Sequence, residues 1–199
     1  YDLTMVGVSA IPYAGIPLSM AGSYYKEELM NLPAVKQGSS ANGTTCFVKG
    51  TKVLMFDFNE KNIENIKIGD KILSVDISTM KIEEDLVLDV PNVLKKYKVI
   101  EARFKNGTVN KFSPAHPFWV ENKGWSVFDI EEAKTELTFK VNKLEKDDVV
   151  LFYQNGKLKR TSIISIVDTG KSVEMYNVEY VKKNHTFFAN KILVHNKNE

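Results

Sequence analysis

The segment Ile66-Lys67-Ile68-Gly69-Asp70-Lys71-Ile72-Leu73 returns later in the chain as Leu144-Glu145-Lys146-Asp147-Asp148-Val149-Val150-Leu151. A chain that echoes itself at this distance folds most simply as two similar halves; the alternative is chance likeness between amphipathic segments. Near the same offset, Thr108-Val109-Asn110-Lys111-Phe112 leading to His116 answers Thr186 onward leading to His195. Around these segments lie short β-branched and aromatic runs: Val53 to Phe58, Lys71 to Asp76, Val99 to Phe104, Val109 to Phe112, Val149 to Tyr153, Thr161 to Val167, Val173 to Tyr180 and Ile192 to Val194. Such runs, bounded by turns, predict an all-β domain with two pseudo-symmetric halves. Asn106-Gly107 and Asn155-Gly156 suit tight hairpins because both residue types tolerate positive φ. The convincing helical piece is short, with Asp129 as N-cap and Glu132 at the capping-box position.

Residues 1–45 read differently. Pro12, Pro17 and Pro33 punctuate them, Ser23 can cap a short helix over Tyr24 to Leu32, and Gln37 to Thr45 is small and polar like a linker. A boundary at Cys46 follows. The chain starts with Tyr1, as expected of a cleaved product or a cut from something longer. Twenty-seven basic against 25 acidic residues leave a net charge of +2, too balanced for the footprint of a nucleic-acid binder, so no nucleic-acid partner is expected. The most apolar stretch, Val6 to Met20, is broken by Pro12 and Pro17, and no signal peptide, membrane span or membrane partner is expected.

Four scarce groups bear chemistry: the single cysteine, Cys46, and the three histidines, His116, His185 and His195. A lone cysteine forms no internal disulfide, which suits a reducing cytoplasm during maturation. The intervals from His116 to His185 and from His185 to His195 match no usual zinc pattern, and neither metal nor cofactor is expected. Taken alone, Cys46 is more often an inert small hydrophobe and His116, beside Phe118-Trp119, a packed turn residue.

The surrounding residues change that reading. Cys46-Phe47-Val48-Lys49-Gly50-Thr51 and Asn184-His185-Thr186-Phe187-Phe188-Ala189-Asn190-Lys191-Ile192-Leu193-Val194-His195-Asn196 strongly resemble the two ends of an intein. The family is Hint, shared by hedgehog autoprocessing domains, inteins and bacterial intein-like domains. Ile66 to Val75 resembles its early conserved strand, and Gly107 to Val120 its block with a Thr-x-x-His motif, with Ser113 where Thr is usual. The resemblance implies a pseudo-two-fold, horseshoe-like Hint fold over residues 46–196, without room for a homing endonuclease. It leaves residues 1–45 and 197–199 as flanks from a larger host.

A thiol at the first position of the domain reaches its own upstream carbonyl, that of Thr45, so an N-to-S acyl shift needs no second molecule. Well-oriented intramolecular attack reaches effective molarities of about 10⁵–10⁸ M. The amide nitrogen is a poor leaving group, and a proton donor is required. The resemblance assigns that role to His116, with Ser113 bonding the scissile region. At the other end the Asn196 carboxamide can attack its own carbonyl, forming a succinimide and opening the bond to Lys197; the resemblance places His195 and His185 to assist. The substrate, and the partner, is then the chain's own flanks on the Thr45 and Lys197 sides, and the domain acts once on itself rather than as a turnover enzyme.

Three departures stand out. Lys197 follows Asn196 where Cys, Ser or Thr is standard, so the usual branched intermediate cannot form, and cleavage at one or both ends, or inefficient splicing, is expected. Asn177 stands where many inteins have Asp. Lys191 stands where Gly is frequent in the turn before the last strand. The alternative function is a catalytically silent Hint-fold module within a larger phage or surface protein, and a thiol hydrolase acting on a separate substrate is a third reading.

Overall fold

The computed structural model describes residues 45–91 and 95–196. The expected helix over Tyr24 to Leu32, the linker as far as Thr44 and the flank Lys197 to Glu199 lie outside the described residues. Strands follow almost without helix: β1 (Phe47–Val48), β2 (Lys52–Leu54), β3 (Glu60–Asn62), β4 (Lys71–Asp76) and β5 (Lys81–Asp89) come first. They are succeeded by β6 (Lys95–Phe104), β7 (Val109–Phe112), β8 (Phe118–Val120), β9 (Gly124–Val127) and β10 (Asn142–Lys143). The last are β11 (Val149–Gln154), β12 (Lys157–Tyr176), β13 (Tyr180–Val181), β14 (Thr186–Ala189) and β15 (Ile192–His195). One helical turn, α1 (Ile130–Ala133), lies between β9 and β10; the Asp129 carboxylate accepts the Glu131 and Glu132 amides and caps it.

The repeat in the sequence is a repeat in hydrogen bonding. Asp70 Oδ2 accepts the Lys67 amide at 2.8 Å, and at the equivalent place in the second half Asp148 Oδ2 accepts the Glu145 amide at 2.8 Å. Each aspartate also pairs with a lysine, Lys61 at 2.6 Å and Lys123 at 3.0 Å. The residue before each takes positive φ, Gly69 at 90° and Asp147 at 70°, and donates to the second strand of the pair that follows, at Val87 O in β5 and Ile163 O in β12. Val87 and Ile163 donate back to the Asp70 and Asp148 carbonyls. Two equivalent turns thus launch two equivalent strand pairs, β4 with β5 and β11 with β12. Between the halves, Asn110 Nδ2 donates to Ala189 O and Asn190 Nδ2 to Val109 O, a reciprocal pair across the pseudo-dyad.

The core between them is aromatic: Phe47, Phe104, Phe112, Phe118 and Phe187 are all fully buried. Phe47, next to Cys46, is 6.3 Å from the Phe112 and Phe118 rings. Burying one such side chain contributes about 1.5–3 kcal/mol, so the entry of the chain into the fold is anchored immediately after the thiol.

Where structure and expectation differ, a local cause is visible. The run Val53 to Phe58 is strand only to Leu54, because the Asp57 carboxylate accepts the Asn59 amide and Phe58 takes φ 66°. The run Val173 to Tyr180 leaves the sheet after Tyr176, and Thr161 to Val167 joins it in one strand, β12, whose register shifts between Asp168 and Ser172 around Gly170 at φ 69°. Both Asn-Gly hairpins form, β6 to β7 and β11 to β12, the second with Asn155 and Gly156 at φ 51° and 76°.

Asn190 and Lys191, joining β14 to β15, lie at φ 47° and 69°, the geometry of a type I′ turn whose second position favours glycine. Lys191→Gly is expected to stabilise the domain by about 0.5–1 kcal/mol, read as a higher urea midpoint with an unchanged slope; a lower midpoint would contradict it.

Candidate functional site

Cys46 and His195 meet at one loop, Ser113 to Pro117, which links β7 to β8. At its first residue the Ser113 amide donates to Cys46 O at 2.9 Å, while the Cys46 amide donates to Ser113 Oγ at 2.7 Å and the Ser113 hydroxyl to Cys46 O at 3.3 Å. At its last residue Pro117 O accepts the His195 amide at 3.1 Å. These bonds follow from the sheet: β1 pairs with β7 at Phe47 and Phe112, and β15 pairs with β8 at Val194 and Phe118.

His116 sits between the two ends with no solvent exposure. Phe47 packs on it at 4.1 Å, with Phe118 and Phe187 at 6.0 and 6.3 Å. Backbone groups of Thr45 and His195 flank the ring, yet neither ring nitrogen has a hydrogen-bond partner of good geometry. Burial first, and then the nearby His195, pushes its pKa down to about 3. The imidazole is therefore neutral at physiological pH. Cys46, only 6% exposed, packs with Val99 and Met175 and near Tyr97. Burial, followed by the charge of Cys46, raises the Tyr97 phenol above its ordinary value.

The loop Asn177 to Glu179 reaches both Thr45 and Asn196. Asn177 Nδ2 donates to Thr45 Oγ1 at 3.4 Å, and Glu179 O accepts from Asn196 Nδ2 at 3.2 Å. Asn177 Oδ1 and Asn196 Oδ1 are buried without partners. The Asn196 amide donates to His185 O at 2.9 Å, and His195 Nδ1 bonds the Asn196 carbonyl. That carbonyl can only accept, so Nδ1 carries the proton. His195 has a pKa lowered to about 4, chiefly by burial. His185, at φ 53°, stacks with it at 6.3 Å. The buried Asp85 carboxylate holds the approach to His185 by accepting the Lys183 and Asn184 amides at 3.0 and 2.8 Å.

Cys46, Ser113 and His116 thus form one group and His185, His195 and Asn196 a second, with His116 next to both. Tyr97, Trp125, Phe139 and Glu179 also reach the site, through packing and backbone; they belong to no motif, and no signal in the sequence marks them. Among the described residues, no group of three or more His, Cys, Asp or Glu is placed to hold a metal ion. No helix among them is long and apolar enough to cross a membrane.

Known structures share this fold. The DnaB intein from Synechocystis sp. PCC 6803 superposes with a TM-score of 0.64 at 20% identity, over 77% of this chain and 99% of that one. The bacterial intein-like domain from Clostridium thermocellum superposes with a TM-score of 0.60 at 26% identity, over 77% of this chain and 100% of that one. The chain therefore carries an intein-like Hint domain without a homing endonuclease. Residues 47–155 match the family model of the Ataxin-1 and HBP1 module, AXH. By sequence the chain belongs to the AXH family. The family match starts after Cys46 and stops before β12, and so leaves out Cys46 and the stretch from His185 to Asn196. The structural likeness, at 77% of the chain, extends well beyond that stretch. No curated protein matches the sequence.

Proposed function

We propose that this intein-like domain, residues 46–196, processes its own chain at both ends. The observation that carries the reading is the convergence of Thr45-Cys46 and His195-Asn196 on the Ser113 to Pro117 loop, with His116 between them. In the first step Cys46 Sγ bonds to the Thr45 carbonyl carbon and the Thr45–Cys46 amide bond breaks. Neutral His116 takes the thiol proton and returns it to the departing Cys46 nitrogen, which Ser113 Oγ already holds at 2.7 Å. The product is a thioester at Cys46, and an external thiol releases residues 1–45.

In the second step Asn196 Nδ2 bonds to the Asn196 carbonyl carbon and the bond to Lys197 breaks. Charge develops on the carbonyl oxygen that His195 Nδ1 bonds, an oxyanion-hole arrangement. The proton that Asn196 Nδ2 loses passes to the leaving nitrogen, which becomes the α-amine of Lys197, and the domain ends in a succinimide. Lys197 has no hydroxyl or thiol to receive the acyl group from Cys46, so the outcome is cleavage at the two ends. That same residue favours a second reading, a catalytically silent Hint-fold module.

Single substitutions separate these readings. Cys46→Ala is expected to abolish thiol-dependent release of residues 1–45 and to leave opening after Asn196 intact; Asn196→Ala is expected to do the reverse. Mass analysis of purified protein over time checks both, and a parent chain that stays whole under every condition supports the silent module.

A further inference from the structure

We propose that Phe139 and Trp125 are positioning residues for the Asn196 junction, forming an aromatic cage that holds the His195 ring with Nδ1 on the Asn196 carbonyl. The inference rests on the self-processing reading and adds residues that no motif assigns. Backbone bonds at His195 and Asn196 fix where the imidazole starts, but rotation about its χ2 is a soft, roughly two-fold torsion. A half-turn of the ring would withdraw the donor from the carbonyl, so something besides the backbone has to choose the orientation.

The surrounding rings supply that choice. Trp125 meets His195 edge to face at 4.6 Å and 89°, Phe139 lies across it at 4.7 Å and 41°, and His185 stacks from a third side at 6.3 Å and 13°. Rings in such arrangements attract through their quadrupoles as well as through the area they bury, and the attraction depends on angle. Trp125 is itself held by the sheet, opposite Trp119 at 5.0 Å across the β8–β9 pair.

Phe139 comes from the excursion between α1 and β10. Leu137 and Val141 of that excursion, with Ile130 of α1, pack on the buried Ala115, Val127 and Ala133, and the Leu137 amide donates to Ala133 O at 2.9 Å. The excursion has its own small core, and through Phe139 it adds a wall around His195, which is 3% exposed.

The test uses the full chain. Phe139→Ala is expected to slow opening after Asn196 by roughly tenfold to a hundredfold, the scale of a small misplacement, with thiol-dependent release at Cys46 unchanged and Phe139→Tyr restoring the parent rate. A second readout does not need the reaction: in Asn196→Ala protein, ring-nitrogen NMR shifts are expected to show His195 protonated at Nδ1, and adding Phe139→Ala is expected to give a mixture of tautomers. Unchanged rate and unchanged tautomer would overturn the proposal, as would equal slowing at both junctions. A tautomer that responds in a chain that never opens after Asn196 would uphold the cage and refute the self-processing reading.

Discussion

His116→Ala is expected to slow thiol-dependent release of residues 1–45 by roughly 10²–10⁴-fold, the usual contribution of a positioned proton carrier, while opening after Asn196 continues. The expectation comes from placement: the ring faces the backbone of Thr45 and neither of its nitrogens holds a hydrogen bond of good geometry. Such an imidazole can take the Cys46 proton and hand it to the amide nitrogen in one encounter. The competing explanation is that His116 merely fills space among Phe47, Phe118 and Phe187. His116→Phe separates the two, since it restores the packing and not the proton transfer. Recovery of thioester formation in His116→Phe would contradict the assigned role.

The same burial makes the domain sensitive to acid. Both His116 and His195 have folded pKa values below the ordinary 6.5, at about 3 and about 4, so between those values and 6.5 the unfolded chain binds more protons than the folded one. Stability is complete above pH 6.5 and falls as the pH is lowered toward the folded values. At pH 4.5 the unfolded state carries nearly two more bound protons, and the loss is roughly 5 kcal/mol for the two histidines together at about 1.36 kcal/mol per pKa unit. That is a large share of the roughly 5–15 kcal/mol typical of a domain. Asp57, Glu64 and Asp76, whose pKa values are also lowered, are too exposed to rival this. Urea unfolding at pH 7 and pH 4.5 checks it, and His116→Gln should roughly halve the drop; a midpoint that ignores pH over this range would refute the burial argument.

Much of the fold is legible because its repeat is written in local chemistry. Asp70 and Asp148 each close a turn with a near neighbour in the chain, so the echo between the halves is visible without any knowledge of long-range contacts. The Asn-Gly hairpins are legible for the same reason. Strand β5 is not, since Lys81–Asp89 is rich in Glu and Asp and owes its extended form to pairing with β4. The site divides in the same way. Cys46, His116 and His195 stand out as scarce groups and Asn196 by its place at the end of a motif, whereas Phe139 and Trp125 reach His195 only through tertiary packing. Asn177 reads as a departure from a family pattern, but its bond to Thr45, far away in the chain, cannot be read from its neighbours.

Each end of the domain, on this account, attacks its own peptide bond. The mass of freshly purified full-length chain, followed with and without an added thiol, tests that most directly. The predicted result is a thiol-dependent break between Thr45 and Cys46, together with a thiol-independent break after Asn196 that leaves the domain one water lighter than simple hydrolysis would, the signature of a succinimide terminus. A chain that stays whole with and without thiol, or a break after Asn196 that yields only the hydrolysed mass from its first appearance, would contradict it.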